Sequence, residues 1–463
     1  MRRCPVTFSV SRRHLLQGLA VSPLAFGIGA PLLASTAQAD FLLVSLADLH
    51  SPYRNLPAVL QTIRDLRAES PDTPMAITIN GDIFERGNVA ALRSEAAADW
   101  QFVEALTGIA PLIINLGNHE TAIIDDMASF VARAEATGAV VVSNILDRRT
   151  GRLFAPSTAQ LDIGGQRLGF IGLAATNPFV YREAVRDTLG LLDPVDFARA
   201  ALGDAMAGVD VPVILSHAGV VADRATLQDL SAGTLIIGGH DHLMLDHEGD
   251  GTRYFHGGSW GNTVTVVGIR RRSSGPEFSV DTVPMTADRP RDEDLDATIR
   301  AILAEHLTDE DRAVIAELSR PRDLAESILF ATDAVRSAVE ADVAFLGHTT
   351  FGTGLPAGDV TRYDFDAFVR FDGEIRTATV TGERLAAIMT MANQHRASNL
   401  DQRTGDFVHA REIDIDPSAS YRIATNDWTA QNQQAYLGTS DIAFETVDGL
   451  MLKPTVEAAL GRL

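Results

Sequence analysis

The sequence predicts an α/β protein built of a larger first unit and a smaller second one. Between residues 41 and 265, short apolar runs bounded by turns alternate with segments of helical spacing, which is typical of an α/β layer architecture. The composition changes near Met285, where an acidic stretch leads into a segment with one apolar helical face. A second mixed pattern of helix and strand begins near Arg322. The predicted boundaries are a first unit over residues 40–285, a helical linker over 286–321 and a second unit over 322–463.

Seven apolar runs in the first unit predict buried strands, because each is short and is bounded by turn residues. They cover residues 41–47, 75–80, 111–116, 138–142, 167–173, 211–215 and 234–237. Residues 56–69 and 90–106 have the spacing of helices, and residues 253–255 and 264–270 predict an antiparallel closing stretch. In the second unit the pattern predicts a helix that ends near Val339 and a strand over residues 343–347.

The composition limits the classes of function. Of the 463 residues, 46% are hydrophobic and 22% are charged, as in ordinary globular proteins. Lys and Arg number 39 against 61 Asp and Glu, and the formal net charge of −22 repels nucleic-acid backbones and anionic lipids. We therefore expect no nucleic-acid polymer as a partner. Lys453 is the only lysine, which excludes a Schiff-base mechanism and a phosphate-loop lysine.

Residues 1–39 resemble a twin-arginine-type signal peptide. Arg12 and Arg13 precede an apolar stretch over residues 18–35, and small residues follow at 37 and 39. A membrane anchor is the alternative, but the apolar stretch is short and interrupted by prolines and glycines. The resemblance implies a bacterial precursor that is handled by the twin-arginine export machinery. The expected product is periplasmic or extracellular and has no permanent membrane anchor.

Cleavage after residue 39 would also remove Cys4, the only cysteine of the chain. The mature protein would then have no disulfide, no thiolate metal ligand and no cysteine nucleophile. Any metal ion would have to be held by His, Asp, Glu, Asn or water.

Five predicted strands end in polar clusters. Side chains beyond the carboxyl ends of parallel strands gather at one edge of an open α/β sheet, and positions i and i+2 of a strand share a face. A lone Asp after a strand is often a turn former and a lone His is often structural, but five such clusters in order predict a metal site. The clusters read Asp48-Leu49-His50, Gly81-Asp82-Ile83-Phe84-Glu85-Arg86-Gly87, Gly117-Asn118-His119-Glu120, Ser216-His217-Ala218-Gly219 and Gly238-Gly239-His240-Asp241-His242.

The clusters resemble the DxH, GDxxxxG, GNH, later His and GHxH pattern of the calcineurin-like metallophosphoesterases. The layout, with a second unit after a linker, is similar to the secreted 5′-nucleotidase type. This resemblance implies a four-layer α/β/β/α metallophosphoesterase sandwich followed by a smaller α/β C-terminal domain that helps to bind the substrate.

The resemblance also implies two divalent metal ions and hydrolysis of a small phosphate ester by a hydroxide that bridges them. Nitrogen and oxygen ligands without sulfur suit Mn, Zn, Fe, Co or Ni. Asp82 would bridge both ions. The expected ligands of one ion are Asp48, His50 and His242, and those of the other are Asn118, His217 and His240.

His119 corresponds to the histidine that the family places near the leaving oxygen. Many relatives orient it with an acid three residues later, a position that is Ala122 here. Glu85 stands where the Ser/Thr protein phosphatases of the same superfamily place an acid, and Arg86 follows as their arginine does. We therefore predict a Glu85–His119 pair with Arg86 beside it. The alternative is that Glu85 and Arg86 form a surface turn pair.

The second unit matches the nucleotidase C-terminal domain less completely. Residues 355–359, Leu-Pro-Ala-Gly-Asp, fit the family, but the asparagine and the phosphate-side arginine of the family fall on about Gly347 and Gly352. Phe407 and Trp428 are the candidates for a pair of aromatic residues that stacks on a base. Core packing is the alternative for both.

Three functions stay open at this point. The first is an exported phosphoester hydrolase of 5′-nucleotidase type, acting in nucleotide catabolism or on a related small ester. The second is a thiosulfohydrolase of sulfur oxidation, which releases sulfate from a carrier protein. The third is a non-catalytic protein that binds a metal or ligand, but His119 argues against it because a binding module needs no leaving-group histidine.

Overall fold

The computed structural model describes residues 39–204, 206–249, 251–396 and 399–463. The predicted signal peptide therefore lies outside the described residues, apart from Ala39. Within these ranges, no helix is both long and apolar enough to cross a membrane.

The first unit alternates strands and helices, as its sequence predicts. Its elements as far as the fourth strand are β1 (Phe41–Ala47), α1 (Leu56–Glu69), β2 (Met75–Asn80), α2 (Val89–Arg93), α3 (Ala97–Ile109), β3 (Leu112–Asn115), α4 (Met127–Ala136) and β4 (Val140–Val142). Those that follow are β5 (Ile145–Asp147), β6 (Arg152–Leu153), β7 (Thr158–Ile163), β8 (Gln166–Ala174), α5 (Glu183–Arg186), β9 (Leu189–Leu191), α6 (Pro194–Asp204), β10 (Val211–His217), α7 (Val220–Leu227), β11 (Leu235–Gly238), β12 (Met244–Gly249), β13 (Thr252–Gly257), β14 (Thr263–Arg272) and β15 (Gly275–Pro284).

Two six-stranded sheets form the middle of the first unit. Their strand orders are β15-β14-β1-β2-β3-β4 and β12-β13-β11-β10-β8-β7. Apolar side chains of both sheets, such as Leu43, Phe170 and Leu215, pack into one buried core between them. Helices α1 and α4 contact the first sheet, and α6 and α7 contact the second. The arrangement is the α/β/β/α sandwich that the family resemblance implies.

The segment predicted as one helix over residues 90–106 is two helices. The hydroxyl of Ser94 donates to the carbonyl oxygen of Ala90 and satisfies the end of α2. Glu95 and Ala96 then adopt positive φ angles of 52° and 59°, which a continuous helix cannot contain. The prediction of an uninterrupted helix was therefore wrong: α2 ends in a turn, where the backbone N–H of Ala96 donates to the carbonyl oxygen of Ala91 at 2.8 Å.

The predicted linker is helical only in its first half. Helix α8 spans Glu293–His306, and the side chain of Asp292 caps it by accepting from the backbone N–H of Leu295 at 2.9 Å. The chain then forms β16 (Val314–Leu318), which pairs with a strand of the second unit, β18 (Gly358–Thr361). The end of the predicted linker is thus part of the second unit's own structure.

The second unit is a three-layer α/β/α structure. Its remaining elements are α9 (Leu324–Ala338), β17 (Val343–Gly347), α10 (Arg362–Phe368), β19 (Glu374–Thr381), α11 (Gly382–Met391), β20 (Val408–His409), β21 (Ser420–Asn426), α12 (Asp427–Gln431), α13 (Gln433–Leu437), β22 (Glu445–Met451) and α14 (Leu452–Leu460). The sheet order is β20-β17-β21-β19-β22. Along β17, Val343 and Phe345 face the core beneath α11, while Ala344 and Leu346 face the core beneath α9 and α14.

Two buried asparagines join the sheets of the first unit close to where the polar clusters begin. The side-chain amide of Asn115, at the end of β3, donates to the carbonyl oxygens of Leu173 and Leu215 in the other sheet, at 2.8 and 3.0 Å. It also lies 2.9 Å from Oδ1 of Asn80. Asn80 in turn donates to the carbonyl oxygens of Ser216 and Ile237, both at 2.9 Å. These bonds hold the carboxyl ends of the two sheets at a fixed separation.

We expect Asn115→Ala to lower the free energy of unfolding by about 2 to 3 kcal/mol, because it leaves buried carbonyl oxygens without donors. Urea denaturation followed by circular dichroism measures this change. The control is Asn262→Ala, which alters an exposed asparagine and should change stability by no more than about 0.5 kcal/mol. Equal effects of the two substitutions would contradict the bracing role.

Candidate metal centre

Five loops bring the predicted ligands to the same edge of the sandwich. β1, β2 and β3 run parallel in the first sheet, and β10 and β11 run parallel in the second. Their carboxyl ends therefore meet, as expected for an α/β architecture. All seven predicted ligands lie together at this edge, and six of them are buried: Asp48, His50, Asp82, Asn118, His217 and His242.

One group of ligand atoms gathers around Asp48, His50 and His242. The Nε2 atoms of the two histidines lie only 2.9 Å apart. Oδ1 of Asp48 is 3.7 Å from Nε2 of His242, and Oδ2 of Asp82 is 3.7 Å from Nε2 of His50. The ligand atoms of Asp48, His50 and His242 lie close enough to one another to hold one cation.

The second group lies on the other side of Asp82. Nε2 of His217 is 3.3 Å from Oδ2 of Asp82, and Nδ1 of His240 is 3.0 Å from Oδ1 of Asn118. Asp82 thus has neighbours in both groups, which is the arrangement that a bridging carboxylate requires.

The orientation of His217 fits a metal ligand. Its Nδ1 lies 2.8 Å from the carbonyl oxygen of Asn80 and donates to it, because a carbonyl oxygen can only accept. Nε2 is fully buried, has no hydrogen-bond partner among the described residues and faces the carboxylate of Asp82. A buried imidazole lone pair beside a carboxylate is satisfied by a cation, so the residues present fit divalent metal ions.

The backbone at the site is unusual for residues other than glycine. Five of the seven predicted ligands have positive φ angles: Asp48 (49°), His50 (54°), Asp82 (57°), His240 (77°) and His242 (55°). Such angles cost free energy and persist where the surrounding structure enforces them, commonly at functional sites. The sharp turns they produce direct alternate side chains of each short motif to one point.

Two motif glycines are required by close approach to the ligands. A Cβ atom at Gly81, whose φ is +77°, would lie 2.3 Å from Nδ1 of His217. A Cβ atom at Gly117 would lie 2.3 Å from Oδ1 of Asp82. Any side chain at either position would therefore displace a predicted ligand.

The charges at the site are incompletely balanced by the described side chains. Burial, together with the nearby Asp82, raises the pKa of Asp48 to about 8. Burial also opposes the charged form of Asp82, but His217 and His119 outweigh it and hold the pKa of Asp82 well below its usual range. Two carboxylates this close favour either a retained proton or bound cations.

Glu85 and His119 lie as the sequence predicts, close to each other at the edge of the ligand group. Oε2 of Glu85 is 3.6 Å from Nδ1 of His119 and 3.5 Å from Nδ1 of His50. The side chain of His119 is 18% exposed, whereas that of Glu85 is buried. The alternative of a surface turn pair is therefore wrong for Glu85.

The prediction for Arg86 is not supported by its position. Arg86 is exposed, and the cation that contacts Glu85 is Arg370 of the second unit. Burial opposes ionisation of Glu85, but the guanidinium of Arg370 outweighs it and holds the pKa of Glu85 well below its usual range. Sequence reasoning missed Arg370, although a single arginine within the apolar run Phe368-Val369-Arg370-Phe371 is a signal of a buried ion pair.

The two predicted stacking aromatics lie in different environments. Phe407 is 1% exposed and its ring stacks on His348, with 4.7 Å between the centroids, so it presents no face to a base in this structure. This is a correction to the prediction for Phe407, which packs in the core. Trp428 is 39% exposed, and its Nε1 donates to the hydroxyl of Tyr436 at 3.0 Å. Its role in binding stays a prediction.

Comparison with known proteins identifies both parts of the chain. Residues 42–244 match the family model for calcineurin-like phosphoesterases, and residues 307–411 match that for the 5′-nucleotidase C-terminal domain. A relative, the uncharacterized metallophosphoesterase YunD of Bacillus subtilis, is 22% identical over 376 residues, which are 76% of this chain and 78% of YunD.

Two solved structures from Thermus thermophilus share the fold over nearly the whole chain. A 5′-nucleotidase precursor superposes with a TM-score of 0.61 at 18% identity, covering 91% of this chain and 96% of its own. The sulfate thiohydrolase SoxB, solved in complex with glycerol, superposes with a TM-score of 0.64 at 18% identity. The match covers 92% of this chain and 94% of SoxB. These matches confirm the predicted two-domain architecture.

We expect manganese to raise the melting temperature and a chelator to lower it. An ion that binds only the folded protein stabilises the fold by about 2.7 kcal/mol when its concentration is 100 times its Kd. Asp82→Asn should lose most of this shift, since both ligand groups share Asp82. Thermal denaturation with and without metal measures it. The control is Asp162→Asn, which changes an aspartate whose side chain is 73% exposed. A metal-induced shift of the same size in Asp82→Asn would contradict the assignment.

Proposed function

Because this chain belongs to the calcineurin-like metallophosphoesterases and carries a 5′-nucleotidase C-terminal domain, we propose that it hydrolyses a small phosphate ester with the help of two divalent metal ions. One ion would be held by Asp48, His50 and His242, the other by Asn118, His217 and His240, and Asp82 would contact both. The observation that carries this proposal is the meeting of two groups of ligand atoms at Asp82. Such ions neutralise phosphoryl oxygens and acidify a bound water.

His119 is proposed to assist the departure of the leaving group. The oxygen of a water molecule forms the new bond to phosphorus while the bond from phosphorus to the ester oxygen breaks. His119, protonated on both ring nitrogens, donates the proton on Nε2 to that ester oxygen and becomes a neutral ring with its proton on Nδ1. The attacking water releases a proton that restores the charged ring. Nδ1 of the ring faces Glu85, which leaves Nε2 as the atom directed away from the carboxylate.

The second unit lacks a residue with which the family binds a nucleotide, so the substrate need not be a nucleotide. A Cβ atom at Gly352 would lie 2.4 Å from the carbonyl oxygen of Ala367 and 2.6 Å from the ring of Trp260, so the family's phosphate-side arginine has no equivalent there. Trp428 stays the candidate platform for an apolar or aromatic part of the substrate.

A thiosulfohydrolase reaction, with release of sulfate from a carrier protein, is the second candidate. The asparagine and the phosphate-side arginine of the nucleotidases fall on Gly347 and Gly352 here, which weakens the case for a nucleotide substrate and leaves this reaction open. The fold shared with SoxB is compatible with it but is also that of a 5′-nucleotidase.

We further propose that the protein is exported through the twin-arginine machinery and acts in the bacterial periplasm or outside the cell. The support is the Arg12-Arg13 pair, the apolar stretch and the small residues at 37 and 39. An amino-terminal sequence of the mature protein that begins at Asp40 is the expected result.

We expect the manganese-loaded protein to hydrolyse at least one member of a panel of nucleotides, 2′,3′-cyclic nucleotides, phosphodiesters and simple phosphomonoesters. His119→Ala should lower kcat by about 100-fold or more, and Asp82→Asn should remove most of the turnover because it disrupts both ligand groups.

The matched control is His247→Ala, which changes a histidine of β12 outside the ligand group and should leave turnover unchanged. Turnover that survives both site substitutions would refute the assignment. Sulfate release from a thiosulfonated carrier without phosphate release would favour the second candidate.

A further inference from the structure

Arg370 connects the second unit to the candidate metal centre of the first. It follows α10, and its side chain is only 3% exposed. Its guanidinium forms an ion pair and hydrogen bond with Oε2 of Glu85, 285 positions earlier in the chain. A buried arginine is normally held by such a partner, because an unpaired buried charge is costly.

The carboxylate of Glu85 lies between four groups. Oε1 accepts from the backbone N–H of Gly87 at 2.8 Å. Oε2 contacts Arg370 and lies 3.6 Å from Nδ1 of His119 and 3.5 Å from Nδ1 of His50. The direction of Oε2 therefore affects the orientation of the proposed leaving-group histidine and of a proposed metal ligand.

Arg370 is itself held from several sides. Its guanidinium lies over the ring of Trp260, 5.0 Å from the centroid, and its backbone N–H donates to the carbonyl oxygen of Thr350 at 3.1 Å. The ring of Trp260 stacks on His50 with 5.0 Å between the centroids and 25° between the planes. The guanidinium is thus fixed relative to the imidazoles that Glu85 contacts.

We propose that Arg370 is a positioning residue that acts through Glu85: it fixes Oε2 so that Nδ1 of His119 points at the carboxylate and Nε2 points at the leaving oxygen. This inference rests on the proposed function. The proton transfer is the one given above, in which Nε2–H donates to the ester oxygen as its bond to phosphorus breaks and a water forms the new bond. Arg370 exchanges no proton in this step.

Direct binding of the substrate's anionic group is the competing role for Arg370. The exposure of the side chains argues against it, because Arg370 is 3% exposed whereas His119 is 18% exposed. A guanidinium already engaged by a carboxylate and covered by an indole ring is poorly placed to contact a ligand. The two roles predict different kinetics, since a positioning residue affects kcat and a direct contact to the ground state affects KM.

The test compares Arg370→Met, Arg370→Lys and Glu85→Gln in the full, manganese-loaded chain. Turnover is measured on 4-nitrophenyl phosphate, whose leaving group needs little protonation, and on an alkyl phosphate, whose leaving group needs a proton. The matched control is Arg362→Met, which removes an arginine paired with Glu457 inside the second unit. Metal content and circular dichroism verify that each variant is loaded and folded.

We expect Arg370→Met and Glu85→Gln each to lower kcat on the alkyl ester by about 100-fold and on the aryl ester by less than about 5-fold, with similar KM values. Arg370→Lys should recover part of the loss, and Arg362→Met should match the wild type. Losses equal for both esters, or a raised KM with unchanged kcat, would overturn the inference.

A second measurement does not depend on turnover. In zinc-loaded protein labelled with ¹⁵N-histidine, we expect NMR to place the proton of neutral His119 on Nδ1 in the wild type and to show a shift toward the other tautomer in Arg370→Met. An unchanged tautomer would overturn the inference. If the wild type released no phosphate from any ester but Arg370→Met showed the expected tautomer shift, only the proposed function would be refuted.

Discussion

The carboxylate of Asp82 is the point around which the candidate site is arranged. Oδ1 accepts from the backbone N–H of His119 at 2.7 Å, and Oδ2 lies 3.3 Å from Nε2 of His217 and 3.7 Å from Nε2 of His50. These neighbours come from both sheets of the sandwich. Gly117 can pass beside Oδ1 only because it has no side chain. The buried amides of Asn80 and Asn115 hold the two sheets at this separation, so the sandwich itself determines the geometry at Asp82.

The second unit contributes to the same site through contacts rather than through ligands. Arg370 pairs with Glu85, and Nε2 of His348 lies 3.4 Å from the backbone carbonyl oxygen of His242. The ring of Trp260 lies between the two units: it stacks on His50 of the first and packs closely against Gly352 of the second. A side chain at position 352 would collide with this indole. Position 352, on which the family's phosphate-side arginine falls, is therefore packed against Trp260 in this chain.

The sequence predicted those elements whose apolar runs are buried in the structure, because such runs are visible in the local pattern of residues. The strands at 41–47 and 75–80 follow from apolar runs, and the polar motifs that end such runs lie together at one edge of the sandwich. That seven of these residues are metal ligands follows from the family resemblance and stays a prediction. Features decided by contacts distant in sequence were not predictable: Arg370 reaches Glu85 across 285 positions, and Arg86 was chosen only because it is adjacent to Glu85. Likewise, Phe407 resembles a stacking residue in the sequence, but His348 covers its ring.

The most direct test of this account is the anomalous diffraction of crystals grown with manganese. The account predicts two peaks about 3.5 to 4 Å apart, one on each side of the Asp82 carboxylate, with His50 and His242 at one and His217 and His240 at the other. A single peak, or two peaks that do not share Asp82, would contradict it.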